Sequence, residues 1–357
     1  MSESQEGPAR STAEAGGPRP GSPIRVVVRV PATSANLGPG FDSLGLALGL
    51  YDEVEASLYG EAEASVAEPG DGPRPGSVDI GVEGEGAGEL DDGEGHLIVK
   101  TMRVTFDRMG VPQPRGIRLR CRNRIPHARG LGSSSAAICA GILAARALAG
   151  APYEAVPHRG GSADVHPGTV SAFTDDDVFA LATEIEGHPD NVAPCLAGGL
   201  TVAWTDHSNV PHMVRLVPHA DIRPVAIIPR HRLSTEIARG LLPEDVPHAD
   251  ASANAGRAAL LVAALTTRPE RELLLAATED RLHQDYRAPA MPQTADLVQR
   301  LRGIGVPTVV SGAGPTILAF STGDTQDLIA PEVGTDWLIQ PLDVETRGAC
   351  VVPPGTR

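Results

Sequence analysis

I-P-H-A-R-G-L-G-S-S-S-A-A, Ile125 to Ala137, is the stretch on which the reading of this chain turns. Gly130 and Gly132 flank a leucine, Ser133, Ser134 and Ser135 follow, and an Ala/Leu-rich run continues to Ala149 with Gly150 as a stop. The pattern predicts a glycine-serine loop feeding the N-terminus of a helix. Unpaired backbone N–H groups and the positive end of the helix dipole favour an anion there, most often phosphate. Glycine lets the backbone turn and approach where a Cβ would clash, and serine hydroxyls add donors to phosphate or ligands to magnesium. A plain N-cap is the blander alternative; it needs one serine, and three after Gly-x-Gly exceed it. Two common phosphate architectures are excluded. A P-loop requires a lysine, and Lys100 is the only lysine in the chain; a dinucleotide fingerprint requires a glycine where Ser135 stands.

Working outward, 357 residues bury a substantial core and suggest two domains. A net charge of -15 argues against a nucleic-acid footprint or an anionic membrane surface. No apolar run is long enough to span a bilayer. Cys121, Cys139, Cys195 and Cys350 are far apart without C-x-x-C, which reads as reduced thiols in a cytoplasmic protein.

Residues 1–23 are rich in Gly, Pro, Ser and Glu and read as a disordered leader. Ile24–Val30 and Leu44–Leu58 read as strands. The acidic, glycine-rich stretch 61–95 reads as a flexible surface insertion, and 157–175 as a second irregular one. His96–Met109 reads as a helix with Leu97, Val104 and Met109 among its apolar positions. Gly116–Arg122 is a predicted strand, Asp177–Glu186 a helix, and Leu200–Trp204 and Pro224–Pro229 strands. Ala251–Leu265, Glu270–Leu282 and Thr294–Arg302 are predicted helices, followed by strands Val306–Val310 and Thr316–Phe320.

Three further motifs carry chemistry. P-A-T-S-A-N-L-G-P-G-F-D, Pro31 to Asp42, reads as a loop of donors ending in a carboxylate, suited to a small molecule with an amine and a hydroxyl, though turns use the same residues. E-G-H-P-D-N-V-A-P, Glu186 to Pro194, packs two carboxylates, a histidine and an amide into six residues at a helix end, which suggests a metal-phosphate or substrate site. S-G-A-G-P-T, Ser311 to Thr316, lies between two apolar strands and reads as a turn.

Together and in this order, over about Ile24 to Phe320 without the insertions, the motifs resemble the GHMP kinase superfamily, and Pro31–Asp42 resembles its homoserine-phosphorylating branch. The resemblance implies an α+β fold of two domains. The first, 24–205, would be similar to the second domain of a ribosomal protein, with a left-handed β-α-β crossover; the second, 206–357, would be ferredoxin-like. Nucleotide and substrate would sit between them. It implies ATP and Mg²⁺ as cofactors, transfer of phosphate to the L-homoserine hydroxyl on the way to threonine, and a cytoplasmic homodimer. Pro126, His127, Ala128, Arg129, Gly130, Leu131, Gly132, Ser133, Ser134 and Ser135 would wrap the ATP phosphates, with Ser134 and Glu186 (or Glu184) at magnesium. His96 stands where the family often has an adenine-contacting asparagine. Asn36, Asp42, His188, Asn191, Thr235, Arg239, Arg287 and Gly312 would contact homoserine, Asp42 its amino group and Arg239 its carboxylate. Glu186, Asp190 and Arg239 would serve catalysis. Asp190 is the one placed candidate base, yet a carboxylate is a weak base toward an alcohol, so orienting the hydroxyl is the other role open to it. The rivals are a GHMP kinase of mevalonate or another isoprenoid precursor, for which Asp42 would be idle, and an inactive metabolite-binding relative.

Overall fold

The computed structural model describes residues 25–58, 77–150, 173–321 and 325–352. The predicted leader, the first part of the acidic insertion and positions 157–172 of the second stretch lie outside the described residues.

The chain forms β1 (Arg25–Ala35), β2 (Leu44–Leu58), β3 (Ser77–Gly84), α1 (Leu97–Arg108), β4 (Gly116–Asn123), α2 (Ser133–Leu148), α3 (Asp175–Glu186) and α4 (Pro189–Ala197). There follow β5 (Leu200–Thr205), β6 (Pro211–Leu216), β7 (Arg223–Pro229), α5 (Thr235–Arg239), α6 (His248–Thr266), α7 (Arg271–Ala277) and α8 (Gln284–Arg287). The chain ends with α9 (Pro292–Gly303), β8 (Thr308–Val310), β9 (Ile317–Ser321), α10 (Thr325–Ile329), β10 (Trp337–Pro341) and β11 (Cys350–Val352). A seven-stranded sheet runs β11-β1-β2-β4-β3, with β5 paired to the start of β2 (Leu44–Leu46) and β6 beyond it; a four-stranded sheet runs β10-β7-β9-β8. The first sheet takes in β6 and β11, so the boundary expected between 205 and 206 falls between two paired strands.

Several sequence expectations change. β1 continues past Val30 and carries Pro31–Ala35 of the first motif into the sheet, with a register shift between Pro31 and Ala32, where proline cannot donate to the ladder. Thr33 and Ser34 are thereby buried strand residues. Eight residues of the predicted insertion 61–95 are sheet: β3 pairs in parallel with β4 along its whole length. The signal was the alternation Val78, Ile80, Val82, which packs against the core and was masked by the surrounding Gly and Glu. A parallel pair needs a crossover, and α1 supplies it.

The apolar positions named for α1 are not the ones that are buried. Leu97 and Val104 are 36% and 41% exposed, whereas Ile98, Val99, Met102 and Phe106 are buried at helical spacing on the opposite side. α2 is buried nearly all round, packed on β1, α1, α3 and α4. At Gly141 an added Cβ would lie 2.9 Å from Thr101 Cβ and 3.0 Å from Ile98 O, so a side chain there would push α1 and α2 apart. The helix predicted to reach Leu282 stops at Ala277. Asp280 takes the N–H groups of Leu282, His283 and Gln284 in a side-chain-capped turn. The second sheet packs Val225, Ile227, Ile317 and Ala319 against Leu297 and Leu301 of α9.

Candidate active site

The stretch 125–137 folds as its composition demands. Gly132 is the N-cap of α2 at φ +71° with no side-chain cap, and Gly130 turns at φ +75°. Neither position tolerates a Cβ: it would lie 2.2 Å from Ser311 O at Gly130 and 1.9 Å from Thr33 Oγ1 at Gly132. The loop is stitched down on both sides. Thr33 N–H donates to Leu131 O at 3.1 Å, Thr316 N–H to Arg129 O at 3.3 Å, and Ser311 Oγ to Gly130 O at 2.6 Å. The third motif therefore holds the loop as well as turning a hairpin.

The N-terminus of α2 borders two cavities, and Ser133 and Ser134 line both. The first, about 260 Å³, joins loop residues Ala128, Gly130 and Gly132 to Glu186, His188, Asp190 and Asn191 on one wall. Asn36, Thr235, Arg239, Arg287 and Gly312 form the rest. The second, about 330 Å³, is walled by Val30, Val54, Leu90, Leu97, Ile98 and Ala137, with His96, His127, Asn123 and Asp52 among its polar groups.

In the first cavity Glu186 is the last residue of α3; Gly187 at φ +90° ends that helix and His188 caps α4, which puts Asp190 and Asn191 in α4's first turn. Ser134 and Ser135 each donate to one Glu186 carboxylate oxygen at 2.8 Å. Glu184 instead pairs with Arg108 on the surface. Asp190, 2% exposed, meets His188 Nδ1 at 2.6 Å. Burial lowers the His188 pKa, but the hydrogen bond and charge of Asp190, with Glu186 behind them, outweigh it and raise it above 6.5. Stability from this pair is thus fully present below the ordinary histidine value and is lost as pH rises through the raised one. The melting-temperature advantage of the natural protein over His188→Gln should shrink on going from about pH 5 to about pH 9; a gap flat across that range would contradict the pairing.

Across the cavity Arg239, at the end of α5, makes a forked bond to Asp42, with Nη2–Oδ1 2.8 Å and Nη1–Oδ2 3.2 Å. Asn36 Nδ2 donates to Gly312 O, and Asn36 Oδ1 accepts from Asp42 N, both at 2.9 Å. Arg287 is 1% exposed and held by Gly312 O, Ala238 O and His283 Nδ1. His283 Nε2 donates to Gly38 O at 2.8 Å, which leaves Nδ1 as acceptor toward the arginine; burial lowers its pKa in keeping with a neutral ring.

The structure therefore brings most of the expected residues together. Asp42 reaches the cavity wall through Arg239. His96 and His127 lie on the second cavity, and Pro126, Leu131 and Ser135 are buried behind the loop. Arg129 is not among the cavity residues: it is turned to Glu85 at 3.3 Å and Arg230 O at 3.1 Å. Its anchor comes from the segment read as a flexible surface insertion. The sequence reading passed over Thr33, which donates to Asn191 at 2.8 Å, and over Phe41, whose ring lies 5.9 Å and 5.3 Å from the Arg239 and Arg287 guanidinium carbons. It also passed over His283 and Asp52. His283 stands four residues before Arg287, a helical spacing that was there to be read; Asp52 carried no local signal.

Magnesium fits this chemistry in one place. Ser134 Oγ and Glu186 Oε2 set two hard oxygens side by side at the helix N-terminus. Among the described residues no group of three or more His, Cys, Asp or Glu could enclose a metal. A partial set of oxygen ligands completed by phosphate and water is how proteins usually hold Mg²⁺. The four cysteines are free thiols, and among the described residues no helix is long and apolar enough to cross a membrane.

Two domain models match the chain, GHMP kinases N terminal domain over residues 96–199 and GHMP kinases C terminal over 261–338. The fold is thus that of a GHMP kinase. The chain is 53% identical over 331 residues to homoserine kinase of Streptomyces coelicolor, covering 93% of this chain and 96% of that one. It is 52% identical over 328 residues to homoserine kinase of Streptomyces avermitilis, covering 92% and 96%. The crystal structure of homoserine kinase from Cytophaga hutchinsonii superimposes with a TM-score of 0.72 at 25% identity, over 92% of this chain and 97% of that one. The chain belongs to the GHMP kinase family, within its homoserine kinase branch.

Proposed function

We propose that this protein phosphorylates the side-chain hydroxyl of L-homoserine with Mg-ATP to give O-phospho-L-homoserine, acting in the cytoplasm as a homodimer. One observation carries the reading: the helix N-terminus stands between an apolar cavity and a cavity that ends in a carboxylate–guanidinium pair. The first suits a nucleotide base, the junction its phosphates, and the second a small zwitterion.

When bound, Mg-ATP supplies the phosphoryl group, and the metal offsets charge on it. The protein's part in such a transfer is chiefly positioning and electrostatic stabilisation. The backbone N–H groups at Gly132–Ser135 and the α2 dipole face the transferring phosphate. Ser134 and Glu186 would hold the metal. Arg239, backed by Arg287, takes the substrate carboxylate, Asp42 its ammonium group, and Asn36 fixes Asp42 through the Asp42 N–H. Asp190, locked by His188, orients the substrate hydroxyl. Replacing Asp190 by Asn tests whether it also takes the proton: near-normal kcat would exclude that role.

A coupled assay offering homoserine, mevalonate and a sugar alcohol decides the substrate, and no turnover of homoserine sinks the proposal. The amine recognition is separable. With 4-hydroxybutyrate, which is homoserine without its amine, the substrate brings no cation to Asp42. Asp42→Asn should lower kcat/KM for homoserine by roughly 100-fold yet leave the weak 4-hydroxybutyrate reaction within a few-fold, because a charge-assisted hydrogen bond is lost only with the former. Equal losses on both substrates would remove Asp42 from amine recognition.

A further inference from the structure

We propose that Asp52, together with His96, selects adenine over other purines by reading the edge that carries the 6-amino group. The inference rests on the second cavity being the base pocket. It concerns a residue that neither the motifs nor the loop chemistry assigns.

The cavity wall mixes apolar and polar groups, and two of its buried polar groups, His96 and Asp52, are incompletely satisfied. His96 is 5% exposed and caps α1. Its Nδ1 accepts from Ile98 N at 3.3 Å, so that nitrogen carries no proton; burial lowers the pKa of the ring, leaving it neutral with its proton on Nε2. His96 Nε2 has no hydrogen-bond partner among the described residues. A buried donor with nothing to bond is costly, and native proteins seldom leave one without a use.

Asp52 is 6% exposed and lies on the same cavity. Its Oδ1 accepts both Arg124 N, at 2.6 Å, and Ile125 N, at 2.9 Å, at the entrance to the phosphate loop. Those two bonds use one oxygen; Oδ2 bonds none of the described residues. Burial, only partly offset by those two N–H donors, pushes the Asp52 pKa up to about 6, so at neutral pH the carboxylate is ionised and acceptor-only.

Beside the other polar groups on its wall (Asp91, Asn123, His127, Ser133 and Ser134), the cavity thus offers one buried donor without a partner among the described residues and one buried carboxylate oxygen free to accept. Adenine has the matching edge: the 6-amino group donates, and either ring nitrogen beside it accepts. Hypoxanthine and guanine carry a carbonyl oxygen at the same position, which would face the carboxylate lone pairs at a repulsive contact. A site built to bond one polar group rejects an analogue lacking it far more strongly than an apolar pocket does, because its own buried groups are left unpaired.

Asp52→Asn separates this role from support of the loop. The asparagine Oδ1 still accepts Arg124 N and Ile125 N, while its amide N–H₂ replaces the free oxygen as a donor facing the base. With homoserine as acceptor, kcat/KM is measured for ATP and for inosine triphosphate on both forms. The natural protein should prefer ATP, and Asp52→Asn should lower that preference by roughly 100-fold, the scale of discrimination set by a paired donor and acceptor on a base edge. A folded Asp52→Asn protein that keeps the natural ATP preference within about twofold overturns the proposal; so does a loss equal for both nucleotides, which marks a purely structural residue. If the variant does not melt cooperatively, the natural protein is tested with purine riboside triphosphate, which lacks the amino group. A loss of tenfold or more against ATP supports the reading, and equal turnover overturns it. Calorimetric binding of ADP against inosine diphosphate needs no homoserine, so failure of the assigned substrate remains distinguishable from failure of the base reading.

Discussion

Replacing Arg239 by alanine is expected to lower kcat/KM for homoserine by about 10²- to 10³-fold, mostly through KM, while the melting temperature hardly moves. The two expectations differ because the same side chain does two things of unequal size. As a structural ion pair, the Arg239–Asp42 fork is over a third exposed on both partners, and such pairs contribute about 0–1 kcal/mol. As a recognition element, the planar guanidinium faces a substrate carboxylate inside a cavity, and loss of one member of a desolvated, hydrogen-bonded charge pair costs about 2–5 kcal/mol. Asp42 and Arg239 neutralise each other, with Phe41 packed alongside. A zwitterion entering between them gives a carboxylate to one and an ammonium to the other, so every charge keeps a partner. A molecule with only one of the two charges leaves Asp42 or Arg239 unpaired, which is a form of selection against it. Arg239→Lys keeps the charge but loses the fork and should fall between the two. A KM for homoserine in Arg239→Ala within about threefold of the natural value would show that the guanidinium does not bind the carboxylate.

The second large effect is expected from Gly132→Ala. This position has φ +71°, and an added Cβ would lie 1.9 Å from Thr33 Oγ1 and 3.2 Å from Asn191 Oδ1. Backbone strain alone costs about 1–2 kcal/mol for a residue with a Cβ. The contact with Thr33 is worse, because Thr33 is a buried strand residue also tied to the loop through its N–H and to Asn191 through its hydroxyl. Relief requires the loop or β1 to move, and either motion displaces the N–H groups at the α2 N-terminus. We expect kcat/KM to fall at least 100-fold, since misplacement by about 1 Å commonly costs that much, together with a clear loss of melting temperature. Gly150→Ala is the internal control. It has φ +76° with none of the described residues within 4 Å of the added Cβ, so it should show the strain cost without the catalytic loss. If both variants lost activity equally, strain rather than crowding at the loop would be the cause.

How much of this was legible in advance follows from the range over which each signal acts. The loop 125–137 was readable because glycine at positive φ, a serine run and an apolar helix are local properties, settled within a few residues. The same holds for the density of polar groups in Glu186–Asn191. The choice between Glu184 and Glu186 was not local: the two carboxylates are two residues apart, and only the placement of Arg108 and Ser134 sends one to the surface and the other to the cavity. β3 was missed because its alternating valines and isoleucine sit in an acidic, glycine-rich context, and a strand becomes a strand by pairing with β4. The buried face of α1 was not legible because Leu97 and Val104 and the set Ile98, Val99, Met102 and Phe106 both satisfy helical spacing; what packs against the helix decides which faces in.

Sequence alone determined the anion-binding helix start, the absence of the lysine-based and dinucleotide alternatives, and, through four motifs in order, the family. Those follow from backbone sterics and residue chemistry that do not depend on distant partners. Tertiary structure alone decided that Arg129 turns toward Glu85, that Asp42 and Arg239 pair across 197 positions of chain, and that Asp52 and His96 share one cavity. Burial, an unpaired donor and a carboxylate with one oxygen to spare exist only once separate segments have closed around the same space, and the chain's local pattern carries no record of them.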